Sequence, residues 1–148
     1  LDQAGIRKET LLMVVGDHGE ELFENGYLGH GINLSYEQNA TLGKLINSKW
    51  KPPHKPIGLN DVGVIIHNAL VRRPQDECPL EDEVLCYTGN ANSPSQVGLV
   101  TANGLVKYDF TKDVWIRQSR PGSGLSRTTP VVPIIHRWES FVVKRLAP

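Results

Sequence analysis

The first half of the chain contains two short apolar runs and one longer amphipathic stretch. Residues 11–15 form an apolar run bounded by charged residues and a glycine, which predicts a strand buried on both faces, as in a sheet covered by helices. Residues 41–46 predict a second buried strand. Apolar positions at helical spacing over residues 61–73, after a cap at Asn60 or Asp61, predict a helix packed on that sheet.

The second half has shorter apolar runs that alternate with turn residues. Four β-rich runs occur at residues 83–88, 96–101, 104–109 and 113–118. Their spacing, together with the Asn-Gly turn within residues 102–105, predicts a small antiparallel sheet. Residues 134–146 predict a terminal amphipathic helix, whose apolar stripe comprises Ile135, Trp138, Val142 and Leu146. The pattern as a whole predicts an α/β fold.

The net charge and the length of the apolar stretches limit the classes of partner that the chain is expected to bind. The 148 residues carry 16 Lys plus Arg against 16 Asp plus Glu, so the chain lacks the net basic charge typical of proteins that bind nucleic acids or anionic membranes. Every apolar stretch is well short of the ~20 residues that span a bilayer, so no transmembrane segment is predicted. The chain starts at Leu1 without the layout of a signal peptide, and we expect it to be the C-terminal part of a longer protein.

The two cysteines, Cys78 and Cys86, flank an acidic segment. They could close a small loop by a disulfide in an exported protein, or remain two thiols in a cytosolic one. Their spacing matches neither a metal-type cysteine cluster nor a redox Cys-x-x-Cys motif. The sequence leaves both alternatives open.

The stretch most informative about chemistry is Gly-Asp-His-Gly-Glu-Glu at residues 16–21, followed by Gly-His-Gly at residues 29–31. A turn that directs Asp17 and His18 the same way would offer a carboxylate oxygen and an imidazole nitrogen to one divalent ion. His30, on a glycine-flanked loop, could reach an anion held at that ion. Asp17 could instead cap a helical turn, and His18 could be a core histidine.

The acidic residues after the Asp-His pair are expected to have a minor role. Residues 20–24 predict a single helical turn, in which Glu20 and Glu21 form a solvated first turn. Glu20 would at most support the metal ligands without binding the ion itself.

These motifs resemble the C-terminal metal motif of the sulfatases, in the alkaline-phosphatase superfamily. They are also similar to the motif of two related groups, the lipid-A phosphoethanolamine transferases and the lipoteichoic-acid synthases. The matching segments are Asp-His-Gly-Glu at residues 17–20, Glu-Asn-Gly at residues 24–26 and Gly-His-Gly at residues 29–31. Lys107 and Tyr108 look like the lysine-tyrosine strand of the sulfatase C-terminal subdomain.

The resemblance implies a fold and a mechanism. Residues 1–75 would be the C-terminal part of an alkaline-phosphatase-like sandwich, and residues 76–148 a small antiparallel β subdomain with a terminal helix. The enzyme would cleave sulfate esters, with a nucleophile and two acidic metal ligands upstream of this chain, so the chain alone would be inactive. Asp17 and His18 would hold calcium, zinc or manganese. His30 would be catalytic, binding sulfate or phosphate oxygens or assisting the leaving group.

Two other functions remain open in the sequence. The first is a phosphoethanolamine or glycerophosphate transferase of the same superfamily, which shares the Asp-His pair. The second is a non-catalytic homologue that no longer binds metal. The expected partners are a sulfate- or phosphate-ester substrate and the N-terminal remainder of the enzyme, and the resemblance implies a periplasmic or otherwise extracytoplasmic, membrane-anchored parent.

Overall fold

The computed structural model describes residues 1–49, 51, 55–71, 80–120 and 132–146. Over these residues the fold is mixed α/β, with small antiparallel sheets and a C-terminal helix. The strands are β1 (Leu12–Val15), β2 (Glu21–Leu22), β3 (Leu28–Gly29), β4 (Gly43–Ile46), β5 (Val84–Asn90), β6 (Ser93–Thr101), β7 (Gly104–Asp109) and β8 (Val114–Ser119). The α-helices are α1 (Tyr36–Asn39), α2 (Val62–Val71) and α3 (Val132–Leu146), and short 3-10 helices span Arg7–Glu9 and Leu59–Asp61.

Strands β1 and β4 form an antiparallel pair that α2 covers on one face. Met13 of β1 lies opposite Leu45 of β4, and both pack against a small cluster formed by Ile65 of α2 and Leu80. The predicted helix is therefore confirmed as a helix packed on this sheet. Residues 72 and 73, at its predicted end, lie outside the described residues.

The prediction that the first strand is buried on both faces is wrong. Leu12, Val14 and Val15 are each between 39% and 42% exposed. Successive side chains of a strand point to opposite faces, and the cluster of Ile65 and Leu80 lies on the face that carries Met13. Strand β4 is also only partly covered, with Gly43 and Lys44 exposed.

Strands β5 to β8 form a four-stranded antiparallel sheet in chain order, which confirms the sheet predicted for the second half. The predicted hairpin is also present, since Thr101 pairs with Gly104 across a two-residue turn. One face of the sheet is apolar and lies under α3. Its buried core consists of Val97, Leu99 and Val106 with two residues of the helix.

The stripe that α3 buries is shifted from the predicted one. Ile134 and Trp138 are buried in the core, and Phe141 and Val142 pack against it, whereas Ile135 is 37% exposed. Both Ile134 and Ile135 lie within one turn of Trp138, so helical spacing alone could not decide between them. The side chain of Leu146 lies outside the described residues.

The helical turn predicted at residues 20–24 is absent. Residues 21–29 instead form a short hairpin, in which Glu21 pairs with Gly29 and Leu22 with Leu28. The turn is closed by a hydrogen bond from the Phe23 amide to the Tyr27 carbonyl, at 2.8 Å. Phe23 adopts a positive φ of 72°, a conformation that a helix does not tolerate.

Two further expectations concern the cysteines and a membrane-spanning segment. Cys86 is a free thiol, while Cys78 lies outside the described residues. None of the described helices is both long and apolar enough to cross a bilayer.

Candidate metal centre

The predicted site residues come from two loops that the β2–β3 hairpin brings together. Asp17 and His18 follow the end of β1, and His30 follows the end of β3. Because Glu21 pairs with Gly29, the hairpin returns the chain so that His30 lies beside the start of β2. The rings of His18 and His30 are stacked, with centroids 3.8 Å apart and an interplanar angle of 31°.

The loop that carries Asp17 and His18 is held tightly on the segment that follows the hairpin. The amide of Gly19 donates to the Gln38 carbonyl at 2.9 Å. A Cβ atom at Gly19 would lie 2.0 Å from the Glu37 carbonyl oxygen and 2.3 Å from that of Ala40. Since these neighbours are backbone atoms, only glycine allows so close an approach.

His18 has a defined tautomer in this arrangement. Its Nδ1 lies 2.9 Å from the Gly19 carbonyl oxygen, which can only accept, so Nδ1 carries a proton. The other ring nitrogen, Nε2, lies 3.6 Å from the Asp17 carboxylate. When the ring is neutral, Nε2 is an acceptor and faces a second acceptor. Either a protonated imidazole or a cation shared by the two residues would make this contact favourable.

Glu20 and His30 extend the cluster. The Glu20 carboxylate lies 3.1 Å from Nδ1 of His30. One ligand atom each from His18, Glu20 and His30 lie within 4.8 Å of one another. The structure thus brings together all three predicted site residues, with Asp17 in contact with His18, and it adds Glu20. We expected Glu20 to lie in a solvated turn and to play at most a supporting role.

The cluster is open to solvent. The exposed fractions of its four side chains range from 41% for His18 to 83% for Asp17. A metal ion and a substrate could therefore reach the site without any movement of the chain. The arrangement combines two imidazoles with two carboxylates, which is a donor set that binds divalent transition metals.

Glu21 differs from its neighbour because it is fully buried, and the prediction of a solvated Glu21 is wrong. Its Oε2 accepts hydrogen bonds from Gln38 at 2.6 Å, Ser35 at 2.9 Å and Asn33 at 3.5 Å. Burial acts to raise the pKa of Glu21, but hydrogen bonds from these side chains outweigh it and hold the pKa below its ordinary value.

The segment that binds Glu21 is itself attached to the polar face of the four-stranded sheet. Lys107 of β7 donates to the Asn33 side chain and, at 3.2 Å, to Gln96 of β6. Gln96 also accepts from the Leu34 amide at 2.7 Å. Burial lowers the pKa of Lys107, an effect that nearby carboxylates oppose. A second contact joins β8 to the same segment, since Gln118 accepts from the Tyr36 amide at 2.7 Å.

A cleft of about 580 Å³ opens beside Asp17, between the β1–β4 pair and β5. Its volume is within the range of small-molecule pockets. The residues around it are mostly apolar, with two lysines, and include Met13, Val15, Leu42, Lys44, Lys55 and Ile57.

Sequence reasoning missed Glu20 as a candidate ligand and the whole polar network around Glu21. A signal was present in the Gly26 and Asn25 pair, which is typical of a turn between strands as well as of a loop after a helix. A hairpin over residues 21–29 would have placed Glu20 and Glu21 on opposite faces.

Comparison with known proteins gives no relative. No family model matches this chain, and neither a curated protein nor a solved structure matches it significantly.

Proposed function

We propose that this chain supplies the metal-binding half of the active site of a metal-dependent hydrolase of sulfate esters. The observation that carries the proposal is the pair of acceptors formed by His18 Nε2 and the Asp17 carboxylate, 3.6 Å apart, with Glu20 and His30 next to them. Two ligands of a tetrahedral zinc ion, each at its usual bond length, are separated by about 3.4 Å. The spacing of the two acceptors therefore fits one shared ion.

The donor set favours zinc or manganese over calcium. Calcium binds six to eight oxygen ligands, whereas two of the three ligands in the cluster of His18, Glu20 and His30 are imidazole nitrogens. Zinc in catalytic sites commonly takes three protein ligands and keeps one position open. His18, Glu20 and His30 supply such a set.

The candidate ligands and their hydrogen-bonding partners each have a definite part in this proposal. The Gly19 carbonyl fixes the proton of His18 on Nδ1 and so leaves Nε2 as its ligating atom. Glu20 accepts from Nδ1 of His30 through its Oε2, which leaves His30 Nε2 for the ion or for an oxygen of the ester, while the Oε1 of Glu20 can bind the ion. A divalent ion bound here would neutralise the charge that develops on the sulfate group. The nucleophile that the sulfatase resemblance implies belongs to a region upstream of the motif.

The cleft beside Asp17 can hold the part of the substrate that lies beyond the sulfate group. Because Asp17 borders both the ligand cluster and the cleft, an ester whose sulfate group lies at the ion would extend its alcohol portion into the cleft. The apolar wall suits an aryl or alkyl group, and the nearby Lys44 and Lys55 suit an additional anionic substituent.

The proposal is tested first by calorimetric titration of the chain with zinc, manganese and calcium chloride. We expect zinc or manganese to bind, and the His18→Ala, Glu20→Gln and His30→Ala variants to bind at least about 10-fold more weakly. Binding should also weaken in acid, because a protonated imidazole cannot ligate. His67→Ala is the matched control, since His67 is an exposed histidine on α2, outside the cluster.

The outcomes separate the three functions. Absence of zinc and manganese binding, or binding that His67→Ala weakens as much as His18→Ala, would favour the non-catalytic homologue. If the metal binds, a form of the protein that also carries the upstream region is assayed with an aryl sulfate and an aryl phosphate. Preference for the sulfate supports the sulfatase, and preference for the phosphate supports the transferase.

A further inference from the structure

We infer that Glu21 and Lys107 are positioning residues of the metal centre. They hold the two loops that carry its candidate ligands in place from the buried side of the hairpin. The inference deepens the proposed function and rests on it for the identity of the ion. Neither residue touches the cluster, and both act through the backbone and through their hydrogen-bonding partners.

The register of the hairpin connects Glu21 to two candidate ligands. It follows Glu20 directly and pairs with Gly29, which directly precedes His30. Side chains alternate between the two faces of a strand, so burial of Glu21 directs Glu20 outwards towards the cluster. Fixing one buried carboxylate thus fixes the positions of two candidate ligands that are ten residues apart in sequence.

The attachment of Glu21 runs through the following segment to the sheet. Glu21 Oε2 accepts from Ser35 and Gln38, and also weakly from Asn33, whose own side-chain oxygen accepts from Lys107. Glu21 and Lys107 are oppositely charged and both buried, with Asn33 between them. Two carboxylates, Asp109 first and then Glu21, favour the charged form of Lys107 in this buried position.

Stability alone is a poor explanation for this network. Among the described residues, the second carboxylate oxygen of Glu21 and the side-chain oxygen of Gln38 are buried without a hydrogen-bond partner. Buried acceptors without partners are destabilising, and apolar packing would join the hairpin to the sheet at lower cost. What the network does provide is a directional connection, with a hydrogen-bonded path from β7 to the hairpin that carries two ligands.

The test compares Glu21→Gln and Lys107→Met with Thr88→Val. Thr88 is a buried polar residue of the same sheet, bonded to Ser95 and outside the network, so its variant controls for a general loss of stability. Urea unfolding, zinc titration and nuclear magnetic resonance of the zinc-free chain are measured for each. The last detects the cross-peak between the ring protons of His18 and His30, whose centroids lie 3.8 Å apart.

We expect Glu21→Gln and Lys107→Met to weaken zinc binding by at least about 10-fold and to reduce the cross-peak, while Thr88→Val loses stability and changes neither. Folded variants with the zinc affinity and cross-peak of the original chain would overturn the inference. If both variants fail to fold, Asn33→Ala breaks the bridge and keeps both charges, and an unchanged cross-peak in that variant would also overturn it.

The two proposals fail in different ways. If the original chain does not bind zinc, the proposed function fails, and the cross-peak in the zinc-free variants still decides whether Glu21 and Lys107 position the histidines. If zinc binds and depends on His18 but not on Glu21 or Lys107, only the positioning inference fails.

Discussion

Asp109 shows how one buried side chain holds a turn and a neighbouring strand together. One carboxylate oxygen accepts from the Thr111 amide at 3.0 Å and the Lys112 amide at 3.2 Å, in the turn between β7 and β8. The other accepts from Gln96 of β6 at 2.9 Å. Burial acts to raise the pKa of Asp109, but these hydrogen bonds and that of the Thr111 hydroxyl hold the pKa below its ordinary value of 3.8.

The pKa shift of Asp109 gives a pH dependence with a definite sign. A carboxyl whose pKa is lower in the folded state stabilises the protein above its unfolded pKa, and this stabilisation is lost as the pH falls through the folded value. We expect Asp109→Asn to lower the free energy of unfolding at pH 7 by about 1–3 kcal/mol, because the amide group replaces one acceptor by a donor. Urea unfolding should show that the difference in free energy of unfolding between the original chain and this variant becomes smaller below pH 3.8. Asp82→Asn, at an exposed carboxylate, is the control and should change little.

At Cys86, in contrast to Asp109, the effect of burial on the pKa prevails. Its thiol donates to the Gly98 carbonyl at 3.4 Å, and burial raises the pKa of Cys86 to about 12. Only the thiolate is nucleophilic, so the native thiol should react slowly. In a Cys78→Ser background, we expect alkylation by iodoacetamide at pH 8 to be more than about 100-fold slower in buffer than in urea. Similar rates in the two conditions would contradict the burial of this thiol.

At the level of elements, α3 is attached to the sheet by an aromatic cluster. Trp138 lies with its ring centroid 4.9 Å from that of Tyr87 on β5, and 5.4 Å from that of Phe141 one turn along the helix. Such pairs contribute beyond the area that they bury. The helix has no comparable contact through Ile135, which points away from the core.

We therefore expect Trp138→Ala to lower the free energy of unfolding by about 3–5 kcal/mol, the usual effect of removing a buried aromatic side chain. Ile135→Ala, on the exposed side of the same helix, should cost less than about 1 kcal/mol. Urea unfolding followed by circular dichroism measures both. Equal losses in the two variants would contradict the exposed position of Ile135.

The hairpin explains why the candidate site could be predicted only in part. Asp17, His18 and His30 belong to a local motif, whose residue types carry their chemistry whatever the surrounding structure. The roles of Glu20 and Glu21 depend on the element that contains them. Neighbouring side chains are about 100° apart on a helix and 180° apart on a strand, so a hairpin exposes Glu20 and buries Glu21 where a helical turn would expose both.

For the molecule as a whole, the spacing of apolar and polar residues was sufficient to predict the small antiparallel sheet and the terminal amphipathic helix. It was not sufficient to show what covers the face of the sheet that α3 does not cover. Gln96 and Lys107 occupy positions that alternation assigns to solvent, yet both are buried beneath residues 33–38. A contact between residues more than 60 positions apart leaves no local signature in the sequence. The sequence therefore could not predict that residues 33–38 pack on the four-stranded sheet.

The partly covered β1–β4 pair also affects how this chain behaves in solution. Among the described strands, each of the two has a single hydrogen-bonded neighbour, so each leaves one row of backbone donors and acceptors unpaired. Proteins commonly protect such rows with charged residues, and β4 has Lys44, but β1 reads Leu-Met-Val-Val without a charge. An uncharged, apolar row of this kind is a template on which another extended strand can add. In concentrated solution, self-association can therefore begin from the folded chain itself, through addition of strands at β1.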